Sequence, residues 1–456
     1  MSIVSFALFV MCALFPLFHI FNALRASKKK PSYMKVTTSK EIGMSILIPC
    51  YNEASILSTT IKGMMQLHYE HYELIFINDG SSDETMKSLI RELQLSPRKV
   101  NVPAQSLDFM PIRQIYHSDK YKNMLVIDKE NGGKADSLNA GITYATKDII
   151  ITLDADSILD TKALSILNQA FADSSVIAAG GNVHILQGRK QTLNGFVPTI
   201  RKLKPIVRLQ ILEYLRGFYI LKASLAKSNA LSIISGAFGA FKKNVLLEVG
   251  GYRQTIGEDI DITLKVQQYS MNHKGSKVLF VPEAICFTEV PESWKDLFNQ
   301  RVRWQKAFMD CFVLYFRTFI TSIFTNRVSF FFLVDSFLVG VVAAFFTVLF
   351  LISLIVFISD YSLQNVLFYT VGSLVVNFLY TVMSLIISKQ YGFGYSKQNL
   401  FAIIGTIFLE LFVFRFINFF YIIFGSVAYF INKEGWNKVA RTGRDYSIEE
   451  ETKHSA

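Results

Sequence analysis

Three short acidic motifs and one basic–aromatic motif carry the residue types of a phosphate-handling site. Asp79 lies in Asn78-Asp79-Gly80-Ser81-Ser82-Asp83, Asp154 and Asp156 form Asp154-Ala155-Asp156, and Asp259 closes Gly257-Glu258-Asp259. Gln300-Arg301-Val302-Arg303-Trp304 follows. Carboxylates spaced this way suit a divalent cation holding a diphosphate, with a separate carboxylate as general base.

Each motif has a specific physical reading. Asp154-Ala155-Asp156 follows the apolar run Ile149-Ile150-Ile151-Thr152-Leu153. In an extended segment residues two apart share a side, so both carboxylates are expected to face one ligand. Mg²⁺ or Mn²⁺ prefers such oxygen donors and takes the rest from phosphate. Asp79 is assigned to a nucleotide, and Asp83 to a helix cap. Asn131-Gly132-Gly133-Lys134 starts a helix, where glycines permit close backbone approach and Lys134 can balance diphosphate charge. It is not a Walker motif, because the full glycine spacing and the Lys-Ser/Thr pair are absent. Glu258-Asp259 is expected to open a helix, although alternating Ile260, Ile262, Leu264 and Val266 leave a strand open. Gln300, Arg303 and Trp304 share one helical face, an indole platform for a sugar ring beside a guanidinium for phosphate.

The elements that must position these residues are legible as alternation. Strands are expected at 45–49, 74–77, 124–127 and 149–153, with helices near 54–66, 83–93 and 134–146. This order predicts an α/β domain over 36–305 with a Rossmann-like, mostly parallel sheet. Ligands of such sheets bind beyond the carboxyl ends of the strands, where Tyr51-Asn52-Glu53, Asp79 and Asp154-Ala155-Asp156 fall.

The rest of the chain points to a membrane. Of its 456 residues 51% are apolar, which argues against a wholly soluble protein. The net charge of +11 is not a compact stripe with stacking aromatics, so a lipid surface is favoured over nucleic acid. The four cysteines show no paired spacing, which fits a reduced compartment. Residues 1–26 read as an uncleaved anchor, because Arg25 and Lys28-Lys29-Lys30 follow the apolar run rather than precede it. The positive-inside rule then places the N-terminus outside and the next domain in the cytoplasm. Basic residues between 186 and 219 fit either an amphipathic segment on the bilayer or a solvated helix face. Residues 306–327 read as interfacial helix, 328–431 as a transmembrane bundle, and 432–456 as a basic, then acidic, cytoplasmic tail. The apolar run 400–431 contains Glu410 and Arg415, and a hairpin there would keep the basic tail inside.

Together these motifs resemble the membrane-integrated, processive glycosyltransferases of family 2, which include synthases of cellulose, chitin, hyaluronan and poly-N-acetylglucosamine. The resemblance spans roughly residues 44–310 and the order of anchor, catalytic domain and membrane bundle. It implies a GT-A-like fold and an inverting transfer from a UDP-sugar to a growing glycan, in a multi-pass protein of the cell membrane. Asp79 and Asp154 would contact uridine or ribose, and Asp156, with Asp154, the Mg²⁺ or Mn²⁺. Asp259, preceded by Glu258, would be the general base. Gln300, Arg303 and Trp304 would hold the diphosphate and the acceptor end. Pro49-Cys50-Tyr51-Asn52-Glu53 matches the first nucleotide loop, and Ser235-Gly236-Ala237 matches the acceptor pocket. Gly257 departs from the Thr of some members, and the membrane topology matches no single member. The resemblance leaves room for an accessory membrane subunit. A non-processive transferase acting on a lipid carrier is the alternative enzyme, and a non-catalytic transport or scaffold protein the alternative from another class.

Overall fold

The computed structural model describes residues 3–28, 40–100, 103, 105–192, 195–356 and 362–432. The tail expected over 432–456 lies, from residue 433 on, outside these residues.

The α/β domain is built on a ten-stranded sheet in the order β3-β4-β5-β2-β1-β6-β11-β8-β12-β7. Its strands are β1 (Met44–Cys50), β2 (Tyr72–Asp79), β3 (Leu95–Arg98), β4 (Ile112–Ser118), β5 (Met124–Lys129), β6 (Ile149–Leu153), β7 (Ser157–Leu159) and β8 (Val176–Ile185). A separate hairpin pairs β9 (Arg189–Thr192) with β10 (Gly195–Pro198), and β11 (Phe238–Lys242) and β12 (Lys277–Thr288) complete the main sheet. The four strands expected from sequence, β5-β2-β1-β6, are parallel neighbours. They read as unbroken apolar runs because helices cover both faces. Beyond them the sheet is mixed, with β11 antiparallel to β6 and β8.

Helices start where the local chemistry allows. Leu57–Met64, Thr85–Leu93 and Lys134–Tyr144 follow β1, β2 and β5. Asp83 was expected to cap Thr85–Leu93, but the N-cap is Glu84; from one residue outside it, Asp83 Oδ1 accepts the N–H of Thr85 at 2.9 Å. Glu258–Asn272 is a helix, so the alternation of Ile260 to Val266 did not make a strand. Three carboxylates in its first turn favour the helix end they occupy.

The 186–219 segment is not one amphipathic helix. It passes through the β9–β10 hairpin into Pro205–Leu215, which continues through a π-helical stretch, Arg216–Lys222, into Ala223–Lys227. Ile206, Leu209, Gln210 and Leu212 are all buried, so neither expected reading covers this helix. The segment expected to be interfacial belongs largely to one long helix, Trp294–Thr321, which also carries Gln300 to Trp304.

Among the described residues, four helices are long and apolar enough to cross a membrane: Phe6–Ser27, Arg327–Val356, Leu363–Gln390 and Lys397–Ile431. The last corrects the expected hairpin, since it continues without reversal through a π-helical turn at Glu410–Phe414. The charges that suggested a turn are paired inside the protein. Glu410 bonds Arg216 and lies 3.5 Å from Arg415, so neither end of the pair has to reach water.

Candidate active site

The parallel strands end in loops that meet on one side of the sheet, and a buried cation ties two of them together. Lys129, the last residue of β5, is fully buried. Its Nζ lies 2.7 Å from Asp79 Oδ1 and 2.5 Å from Asp136 Oδ1. A buried ammonium is tolerable only when so paired. Asp79 also accepts the N–H groups of Gly132 (3.0 Å) and Gly133 (2.8 Å) and the side-chain amide of Asn131 (3.2 Å). Both oxygens of Asp79, the residue expected at the nucleotide, are thus engaged within the protein and shape the Asn131–Gly133 loop.

That loop delivers Lys134. Gly133 takes φ +89°, a left-handed conformation that suits glycine, immediately before the helix. Lys134 Nζ then reaches Asp154 Oδ1 at 2.7 Å and Glu258 Oε1 at 3.0 Å. One ammonium therefore joins the acidic motif after β6 to the acidic motif that opens Glu258–Asn272. Burial alone would lower the Lys134 pKa, but Asp154 and Glu258 hold it above the ordinary lysine range. Burial pushes the Glu258 carboxyl up, against the pull of Lys134.

Asp259 sits beside this bridge. Its Oδ2 accepts the N–H of Gly236 at 3.2 Å and its Oδ1 the N–H of Ile260 at 2.9 Å. The expected acceptor segment, Ser235-Gly236, therefore abuts the expected base. A side chain at Gly236 would meet Lys134 Nζ at 2.8 Å. Gly257 is equally constrained, because a Cβ there would lie 2.8 Å from the carbonyl oxygen of Ala307. The departure from Thr thus lets Trp294–Thr321 pack directly on the start of Glu258–Asn272. Behind Asp259, burial lowers the Lys222 amine to about 8, with Asp259 opposing the shift.

Asp154 and Asp156 do not share an extended segment. Residues 154–156 form a turn between β6 and β7, so the period-two argument does not apply to them. Asp154 is partly exposed beside Lys134. Asp156 is buried, and the hydroxyls of Ser157 and Thr288 each lie 3.3 Å from its Oδ1. Asp156 and Glu289 line one small cleft with Thr60 and Leu186. Among the described residues no three His, Cys, Asp or Glu side chains group as a metal cage. Two carboxylates at a strand end match a hard cation that takes most of its ligands from phosphate and water.

The remaining predicted residues surround these loops or approach them from the long helix. Tyr51 is exposed just beyond β1. The Glu53 N–H donates to Thr85 Oγ1 at 2.8 Å, which ties this loop to the start of the helix after β2. Gln300 is buried, and its Oε1 has no hydrogen-bond partner among the described residues. Trp304 is 40% exposed, leaving indole surface open to a ligand. Its stacking partner is Arg301, whose guanidinium lies 4.0 Å over the ring. Arg301 Nη2 is held in turn by Glu213 Oε2 at 2.7 Å. Lys129, Asp136, Glu213, Lys222, Glu289 and Arg301 were not singled out from sequence. Only Arg301 carried a signal, its spacing of three from Trp304.

Residues 45–106 match the family described as glycosyl transferase family 2, and residues 112–307 the one described as glycosyltransferase like family 2. Together these matches cover more than half of the chain and contain every loop described above except the membrane-side helices. The chain belongs to glycosyltransferase family 2. This family-2 chain is 28% identical over 339 residues to the poly-beta-1,6-N-acetyl-D-glucosamine synthase of Staphylococcus aureus (strain COL), covering 73% of this chain and 70% of that one. It is 27% identical over 379 residues to the enzyme of the same name from Staphylococcus epidermidis, covering 81% and 78%. Among solved structures it is similar to the mannosyltransferase PcManGT of Pyrobaculum calidifontis, in complex with GDP-Man and Mn2+. That likeness has a TM-score of 0.54 and 16% identity, over 94% of this chain and 99% of the other. At that identity the likeness speaks to fold, and it bears out the GT-A-like fold expected of the α/β domain.

The Lys129 pairing gives a direct test on this glycosyltransferase. Lys129→Met leaves two buried carboxylates without their cation, which costs about 3–5 kcal/mol. The expected result is a clearly lower midpoint of thermal unfolding for the purified full chain. An unchanged midpoint would show that the pairing is not needed.

Proposed function

We propose that this chain is a membrane-bound, inverting glycosyltransferase that polymerises sugar from a UDP-sugar into a β-linked polysaccharide of the poly-N-acetylglucosamine type and extrudes it. The observation that carries the reading is the Lys134 bridge, which brings the donor-side carboxylate Asp154 within one side chain of Glu258 and Asp259. The names of the staphylococcal relatives support the product class. The four apolar helices support a place in the cell membrane, with the catalytic domain in the cytoplasm. The partners are then the UDP-sugar, the growing glycan, the lipid bilayer and, where one is present, an accessory membrane subunit.

In the proposed mechanism the donor's nucleotide lies along Tyr51, Glu53 and Asp154, with Asp79 holding the loop beneath it. Its diphosphate lies toward Lys134 and Arg303, whose charges offset the negative charge that grows as the sugar leaves. Asp154 and Asp156 would hold a Mg²⁺ or Mn²⁺ ion, which supplies Lewis-acid stabilisation of the diphosphate. Asp259 takes the proton from an acceptor hydroxyl near Ser235 and Gly236. The freed oxygen attacks the anomeric carbon as the bond to the diphosphate breaks, so the configuration inverts and UDP leaves. Two backbone N–H groups on Asp259 fix its carboxylate during this step. Glu258, held by Lys134, shares the helix start that aims it. Gln300 and the open face of Trp304 receive the acceptor end.

The direct test offers membranes containing the full chain a panel of UDP-sugars and digests the product with linkage-specific glycosidases. The expected outcome is a polymer from UDP-N-acetylglucosamine, lost with excess EDTA and restored by Mg²⁺ or Mn²⁺. A single-sugar product on lipid, or full activity in EDTA, would overturn the reading. A second expectation concerns proton removal: Asp259→Asn lowers turnover by about 10²–10⁴-fold while donor binding persists. Near-normal turnover would remove Asp259 from the base role.

A further inference from the structure

The last long helix has the length and apolarity of a membrane span, yet the α/β domain holds it at both ends. At its start, Asn399 Oδ1 accepts the N–H groups of Ile200 (2.9 Å) and Arg201 (3.2 Å). At its end, the Tyr429 hydroxyl donates to Asp310 Oδ1 at 3.3 Å, and Lys306 Nζ donates to the carbonyl of Asn432 at 2.6 Å. Asp310 is fastened to the domain in turn. Arg253 and Thr255, in the loop that leads to Glu258, donate to its Oδ2 at 2.8 and 2.6 Å.

These two ends are far apart. Asn399 and Tyr429 are separated by roughly 45 Å at a helical rise of about 1.5 Å per residue. The hydrocarbon core of a bilayer is only about 30 Å thick. A helix that crossed it would carry one end to the face that the domain cannot reach.

Domain-side partners also follow the helix between its ends. Glu410 bonds Arg216. The ring of Phe414 lies 6.4 Å from Trp294, and that of Tyr421 lies 5.6 Å from Phe298. Gln305 donates to Ser426 at 2.9 Å. The opposite face is bare and apolar: Phe401, Phe408, Phe412, Phe416, Phe420 and Phe424 are all exposed. One face therefore carries the polar bonds to the domain, and the other a run of rings that water would not solvate well.

We propose that Lys397–Ile431 does not cross the bilayer but lies along it beneath the α/β domain, with its phenylalanine face in the acyl chains. Asn432 then emerges on the same side as the domain. The chain crosses three times, at Phe6–Ser27, Arg327–Val356 and Leu363–Gln390. The proposal rests on the membrane location proposed above and is independent of the sugar transferred.

Single cysteines placed in the full-length protein test it, with an impermeant maleimide applied to intact cells and to inverted vesicles. Ser106→Cys reports the domain, Ser362→Cys the loop between the second and third crossings, and Ser396→Cys and Asn432→Cys the two ends of the helix. The native chain, with Cys50, Cys286 and Cys311 buried, gives the background. The expected result is that Ser106→Cys, Ser396→Cys and Asn432→Cys label in inverted vesicles and not in intact cells, with Ser362→Cys reversed. Labelling of Asn432→Cys together with Ser362→Cys overturns the in-plane helix. Labelling of Ser106→Cys and Ser362→Cys from one side overturns the membrane arrangement itself. Should Asn432→Cys fail to accumulate, protease protection of a C-terminal tag reads the same side.

Discussion

A lysine ammonium buried between two aspartates sets the geometry of this protein. Lys129 ends β5, Asp79 ends β2, and Asp136 lies in the first turn of Lys134–Tyr144. Their union fixes two strand ends and a helix start at one point. Asp79 can then use its remaining capacity to hold the backbone of Gly132 and Gly133. Lys134 leaves that loop aimed at Asp154 and Glu258. Were the buried cation lost, the carboxylates would repel one another in a medium that screens them poorly. The donor-side and base-side motifs would then lose their common reference.

Much of this was legible because the relevant signals are local. Apolar runs identified β1, β2, β5 and β6, and the motifs at their carboxyl ends followed from the parallel arrangement. Glycines before Lys134 and acids in the first turn of Glu258–Asn272 marked helix starts. What was missed depends on partners distant in sequence. Lys129 is an ordinary lysine until Asp79 and Asp136 close around it. Glu410 and Arg415 suggested a turn because Arg216, which also pairs with Glu410, lies on a different helix. The alternation argument for Asp154 and Asp156 did not apply for another reason: it holds for extended backbone, and residues 154–156 are a turn. At the long helix, Arg301 lies over Trp304 while Glu213, from another helix, holds its guanidinium, a contact invisible in the local spacing.

The membrane-side helices are part of the site's construction as well as its anchor. Trp294–Thr321 carries Gln300 and Trp304 on one stretch, and at Ala307 it packs so closely on Gly257 that no side chain fits between them. The same helix receives Tyr429 and Ser426 from the last apolar helix. Arg253 reaches from the loop before Glu258 to both Asp261 and Asp310. The position of the proposed base is thus tied, through short polar links, to a helix long and apolar enough to cross a membrane. Transfer next to a bilayer follows from that arrangement under the proposed membrane location.

The central claim is that the loops organised by Lys129 form the donor site. It is tested most directly by an electron cryomicroscopy map of the full chain in a lipid nanodisc, with Mn²⁺ and a non-transferable UDP-sugar analogue. The account predicts the nucleotide at the carboxyl ends of β1, β2 and β6, the diphosphate in reach of Lys134, and the sugar facing Asp259. Nucleotide density on any other face of the sheet, with the Lys134–Asp154–Glu258 bridge intact and remote from it, would contradict the account.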